Sequence, residues 1–225
     1  IIGFLFAGLL MPMFARMFEQ KASIQPLLEL GYRLMLVVSV SFGTTAIIYR
    51  NEIMSLLYTT ADAYSSAIFG WLMVSFICIS LTYIYGSLLT AGGKIALLNK
   101  ISVAGFLLNL ILNLILIPSE NALGSALATV AAQVLVLIAH IGAANRTYGL
   151  DQNYKHWLKS AVYVVLVVGF NCLGLLSPLP GGLNFIVSGV LGVLAVFPSG
   201  LLRLSEITSF IRSGSDTLTK KSIIR

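Results

Sequence analysis

Long apolar stretches alternate with short polar ones along almost the whole chain. Apolar runs cover about 1–15, 31–49, 66–90, 100–117, 122–144, 160–176 and 183–202. A crossing helix needs roughly 20 apolar residues, so the last six runs predict full transmembrane helices. The first predicts a partial one, with Pro12 inside it and its freed carbonyl satisfied by neighbouring helices. The runs are continuous, without the period-two alternation of a membrane barrel strand. The fold class expected is therefore all-α, a polytopic membrane helix bundle.

The connections refine this picture. Pro118-Ser119-Glu120-Asn121 is short enough to force its flanking helices into an antiparallel pair. Arg50 to Ser65 reads as a polar connection with one half-buried turn of helix, and Arg146 to Lys159 as a polar loop. Pro178, Pro180, Gly181 and Gly182 predict a tight turn. Residues 203–225 form a basic, polar tail. The chain opens inside the apolar run IIGFLFAGLLMPMF, with no initiator Met and no charged leader, so it is expected to be the C-terminal part of something longer.

Composition and charge sharpen the reading. The chain is 58% hydrophobic and 10% charged, against about a quarter charged in soluble domains, so lipid is the expected solvent. Its net charge of +6 points to topology and not to nucleic acid, because the basic residues sit at the ends of the runs. Arg16, Lys21 and Arg33 fall on the first connection, and Lys94 and Lys100 on the third. Arg146, Lys155 and Lys159 fall on the fifth, and Arg203, Arg212, Lys220, Lys221 and Arg225 on the tail. Only Arg50 lies on the intervening connections. Lys and Arg on short loops mark the cytoplasmic side, which predicts a cytoplasmic C-terminus and residence in the cytoplasmic (inner) membrane.

Candidate chemistry is sparse. No Asp, Glu, Lys, Arg or His lies near the middle of a run, where such a group would mark an ion-coupling site. His140, about a turn from a helix end, reads as an interfacial anchor rather than a proton relay. Asn109 and Asn113 share one helix face, and Gln133 sits at mid-depth on the next run. These amides either bond neighbouring helices or line a polar cavity. Gly124, Ala128 and Ala132 form a small-residue stripe suited to close helix packing. Cys78 and Cys172 lie in apolar runs and read as small buried hydrophobes. Metal-ligand spacings, a phosphate loop and a nucleophile elbow are missing from the sequence, so neither a metal nor a cofactor is expected and an enzyme is disfavoured.

One stretch has a familiar pattern. LLTAGGKIALLNKISVAGFLLNLILNLILIPSENALGSALATVAAQ resembles the C-terminal half of polysaccharide flippases of the multidrug/oligosaccharidyl-lipid/polysaccharide exporter superfamily. The resemblance rests on the turn Ala91 to Lys94, on Asn99, Asn109, Asn113 and Pro118, and on the helix opening Gly124 to Thr129. Met11-Pro12-x-Phe14-x-Arg16 adds the family's Pro-containing helix end. The pattern covers most of 1–145; Pro-Ser-Glu-Asn-Ala-Leu-Gly departs from it, since relatives often carry a Gly-containing turn there. It implies that 1–145 is most of a six-helix second lobe, that 146–202 adds two transmembrane helices, and that a first lobe is missing. It further implies translocation of lipid-linked oligosaccharide or polysaccharide precursors by alternating access, with membrane lipid and glycan-assembly enzymes as partners. Asn109, Asn113 and Gln133 become candidates for the cargo cavity, and Arg16, Arg33, Lys94 and Lys100 for a diphosphate. A multidrug or small-molecule antiporter of the same superfamily, a membrane-embedded glycan-assembly enzyme and a non-transport subunit are the competing readings.

Overall fold

The computed structural model describes residues 2–151, 154–177 and 181–201, and every regular element among them is a helix. In order these are α1 (Ile2–Glu19), α2 (Gln25–Ile48), α3 (Arg50–Leu57), α4 (Ala63–Ala91), α5 (Ile95–Tyr148), α6 (Tyr154–Leu175) and α7 (Gly181–Leu194). Four of them, α2, α4, α5 and α6, are long and apolar enough to cross a membrane. The all-α expectation holds, and the helices are compatible with a membrane bundle. The tail at 203–225 and the Pro178–Pro180 turn lie outside the described residues.

The 54-residue α5 is two helices in one hydrogen-bonded run. Asn121 breaks it, with φ 53° and ψ −132°. We call the arms α5a (95–120) and α5b (122–148). Val136 packs directly on Gly105, and Leu135, Val136 and Ala139 share a groove with Ala104 and Leu108, so the arms run antiparallel. Gly124 lies against the Leu116 backbone and lets the tip close. Tyr64, from the start of α4, clasps that tip: its hydroxyl donates to the Glu120 carbonyl at 3.0 Å and accepts from the Leu123 amide at 3.1 Å.

The helix ends gather at two levels. At one end Gln25 bonds Asp151 in both directions at 3.0 Å, Phe18 meets Tyr148, and Tyr32 meets Trp157. At the other, Tyr49 bonds Ser188, and Tyr64 holds the hairpin tip. The first end carries Arg16, Lys21, Lys94, Lys100 and Arg146; the second carries Arg50 with Glu52, Asp62 and Glu120. Gly92-Gly93-Lys94, at the basic end, closes α4 with a Schellman turn. Gly93 has φ 71°, its amide donates to Thr90 O at 3.0 Å, and the Lys94 amide donates to Leu89 O at 2.8 Å.

Packing is organised around α2 and α4. The core joins Leu10 and Phe14 of α1, Met35 and Val40 of α2, Ile84 and Leu88 of α4, and Tyr163 and Val167 of α6. Lipid tails are as apolar as these side chains, so close packing and hydrogen bonds hold such helices together more than exclusion from water does. Most buried hydroxyls bond their own helix: Thr45 to Ser41 O, Ser80 to Phe76 O and Ser87 to Tyr83 O, each at 2.7 Å. The Tyr163 phenol is different, because it ties three helices. Ser41 of α2 donates to it at 2.6 Å, and its single proton is shared between Val37 O at 3.2 Å and Gly192 O of α7 at 3.0 Å. Tyr163→Phe is expected to cost about 1–3 kcal/mol, because it strands buried acceptors. A lowered midpoint in detergent unfolding, with the helical signal intact at low temperature, is the outcome to look for.

At the start of α4, Asp62 and Ser65 form a reciprocal capping box. The Ser65 amide, donating to Asp62 at 2.7 Å, holds that carboxyl below its ordinary value of 3.8. A lowered folded value means the cap contributes fully above the ordinary value and is lost as pH falls through the lower one. Protection of the Ser65 and Ser66 amides, measured against the intrinsic exchange rate at each pH, should therefore fall below about pH 4, and Asp62→Ala should lower it at neutral pH as well.

Several boundaries differ from the sequence expectation. The helix of the second run begins at Gln25, so Arg33 is not on a loop; it lies inside α2, paired with Glu29 one turn away at 2.8 Å. The polar loop expected over 146–159 is short, since α5b runs to Tyr148 and α6 begins at Tyr154. The last run was expected to remain helical to about 202, but α7 ends at Leu194 and turns occupy 195–200. Pro198 falls in this turn segment and has no N–H to donate to the Leu194 carbonyl four residues back. Cys78 is buried as expected, whereas Cys172 is exposed on α6.

Candidate functional cavity

A cavity of about 580 Å³ opens between α1, α4 and both arms of α5. Small residues create it. Gly8 of α1 and Gly86 of α4 face it with no side-chain neighbour within 4 Å of where a Cβ would stand. Phe4 and Met11 on α1 and Leu98 and Val136 on the hairpin give it apolar walls. Its polar groups are Thr82, Tyr83, Ser87 and Thr90 from α4, Ser102 from α5a, and Gln133 and His140 from α5b.

The hydrogen-bond state of these groups decides what the cavity can bind. Thr82 donates to Cys78 O at 2.9 Å, Ser87 to Tyr83 O at 2.7 Å and Thr90 to Gly86 O at 2.8 Å. Each hydroxyl proton is thus committed to its own helix, and each oxygen keeps lone pairs for a partner. His140 behaves alike. Its Nδ1 lies 2.8 Å from Val136 O, and a carbonyl only accepts, so Nδ1 carries a proton. In the neutral ring Nε2 is then an acceptor available to a cavity partner. No charged side chain lines the cavity among the described residues. The wall is uncharged and mainly apolar; Thr82, Ser87, Thr90 and His140 offer it acceptors, and Tyr83, Ser102 and Gln133 offer both donors and acceptors, which suits a neutral ligand with hydroxyl groups.

The sequence candidates scatter. Gln133 lines this cavity. Asn109 and Asn113 do not: the Asn113 amide donates to Asn109 O at 2.8 Å and to Asn109 Oδ1 at 3.0 Å, so the pair closes on its own helix. Arg16 and Lys94 are exposed at the basic end, Arg33 is paired with Glu29, and Lys100 lines a separate groove on the outer side of the hairpin. His140 corrects the expectation of an interfacial anchor, being only 3% exposed and facing the cavity. Thr82, Gly86 and Thr90, spaced four apart on one face of α4, are the signal that sequence reading passed over.

Gly124, Ala128 and Ala132 are all buried, as a packing stripe requires. No group of three or more metal-ligating side chains occurs among the described residues. No protein-family model and no curated protein matches the chain, so the chemistry of the cavity rests on its own residues.

Proposed function

We propose that the chain forms one helical lobe of a membrane transporter that moves a lipid-linked oligosaccharide or polysaccharide precursor across the cytoplasmic membrane by alternating access. The observation that carries this reading is the uncharged cavity between α1, α4 and α5, apolar for the most part and set with hydroxyl, amide and imidazole groups. A sugar presents many hydroxyl donors and no charge, which suits lone pairs on Thr82, Ser87, Thr90 and His140. The pattern shared with polysaccharide flippases in Ala91 to Lys94, Pro118 and Gly124 to Thr129 adds support. In this reading α2, α4, both arms of α5, α6 and the run that contains α7 span the membrane, α1 is part of a further span, the basic end is cytoplasmic and the C-terminal tail lies on that side. A companion lobe would supply the opposite wall. An antiporter of small cations would need a carboxylate on this wall, and the described lining has none.

The test is reconstitution of the intact protein into liposomes with a fluorescent polyprenyl-diphosphate-linked sugar in the outer leaflet. Time-dependent loss of accessibility to a membrane-impermeant quencher is expected. A lipid-linked sugar that stays on its original leaflet refutes the reading.

A further inference from the structure

A second concavity, about 330 Å³, lies along the seam between α5a and α5b. Ala104, Gly105 and Ala139 give it a shallow floor, with Val136 seated on Gly105. Leu108 and Leu135 wall it, and Lys100 stands at its basic end. The ridges beside it are exposed and apolar, with Val103 57%, Leu135 50% and Ile138 58% exposed.

Three features restrict the occupant. First, Lys100 to Leu108 is nine residues, about 12 Å of helix, and the trough is small. A helix about 10 Å across cannot seat in it, whereas a single hydrocarbon chain can. Second, the charges on α5 are confined to its ends. Lys100 and Arg146 lie toward the basic end, Glu120 is at the far tip, and no acidic residue occurs elsewhere in the hairpin. Third, Lys100 is exposed and forms no ion pair with a described residue.

We propose that this groove docks an anionic phospholipid, with one acyl chain along Ala104, Gly105 and Ala139 and the phosphate on Lys100. A basic side chain at the membrane interface attracts an anionic headgroup, and the trough adds an apolar contact that distinguishes this site from a smeared surface charge. Among their lining residues the groove and the cavity share only Val136, so the site is one for a resident lipid and not for cargo.

Native mass spectrometry of the full chain in detergent, offered equal phosphatidylglycerol and phosphatidylcholine, tests the site. Preferential retention of phosphatidylglycerol is expected. Lys100→Gln should lower that retention about fivefold, toward the phosphatidylcholine level. Ala104→Leu, which fills the trough, should lower retention of both lipids. Lys21→Gln, at the same end but off the groove, should change neither, and millimolar inorganic phosphate should not displace the lipid. Equal retention of the two lipids by the native chain overturns the proposal, as does full phosphatidylglycerol retention by Lys100→Gln. So does an Ala104→Leu variant that loses self-association while keeping its lipid, because the groove then belongs to a second copy.

Discussion

Gly124→Val is expected to unfold the α5 hairpin, with a loss of more than about 3 kcal/mol. A Cβ at this position would meet the carbonyl carbon and oxygen of Leu116 and come within 3.1 Å of the Ile117 amide nitrogen. These are backbone atoms of the opposing arm and have no rotamer to escape into. The arms would have to separate at the tip, where Tyr64 holds both the Glu120 carbonyl and the Leu123 amide. Splaying the tip therefore strips two backbone partners as well as the packing of Ala126 and Ala128, which are 3% and 0% exposed. Gly142→Ala is the matched control. It lies on the same arm, with nothing within 4 Å of an added Cβ, and should stabilise by up to about 1 kcal/mol through helix propensity alone. Unfolding midpoints of the two variants should move in opposite directions. Equal, small shifts would mean that the tip is looser than the Leu116–Gly124 approach implies.

The hairpin also shows how much of the architecture the sequence makes legible. Pro118-Ser-Glu-Asn followed by Gly124 announces a tight reversal between two apolar runs, and the reversal falls there. The Gly92-Gly93-Lys94 turn was equally visible, because a positive φ at Gly93 is what a Schellman cap requires. Among the described residues, charge alternation grouped the connections after α1, α4 and α5b at one end and those after α2 and α5a at the other, since it depends only on the order of the elements. Legibility fails wherever neighbours decide. Arg33 looked like a loop residue because a charge beside an apolar run suggests an edge, yet Glu29 at i−4 keeps it inside α2. Asn109 and Asn113 could have bonded a neighbouring helix or lined a cavity, yet the Asn113 amide bonds Asn109 within one helix. His140 looked peripheral by its position in the run, but α1 and α4 pack so that its ring lines the void. Depth along a helix can be counted from sequence; the direction a side chain faces depends on which helices surround it.

Facing direction is also what makes Gly86 the most informative position in the cavity. Gly86→Phe is expected to abolish transport in the reconstituted assay while leaving the bundle as stable as before or more so. Gly86 lies inside α4, five residues before its last residue, and an added Cβ would enter open space. Exchange of glycine for almost any other residue in a helix interior gains up to about 1 kcal/mol of propensity, and here it breaks no contact. The phenyl ring would project between Thr82 and Thr90, one turn to either side, and displace whatever those oxygens bind. Gly8→Phe, facing the same void from α1, should do the same independently. A ring at either position occupies a substantial part of a 580 Å³ space, so a partial defect is not expected from a cargo that must lie in it. The decisive comparison is transport rate against unfolding midpoint. Loss of transport at an unchanged or raised midpoint assigns the cavity to the cargo. Loss of both would mean that the void is filled by another helix of the assembled protein, and full transport by both variants would move the pathway elsewhere. His140→Gln refines the first outcome. It keeps an acceptor near the Nε2 position but removes the titratable ring, so transport that survives it with an altered pH profile would mark the imidazole as a proton-responsive part of the wall.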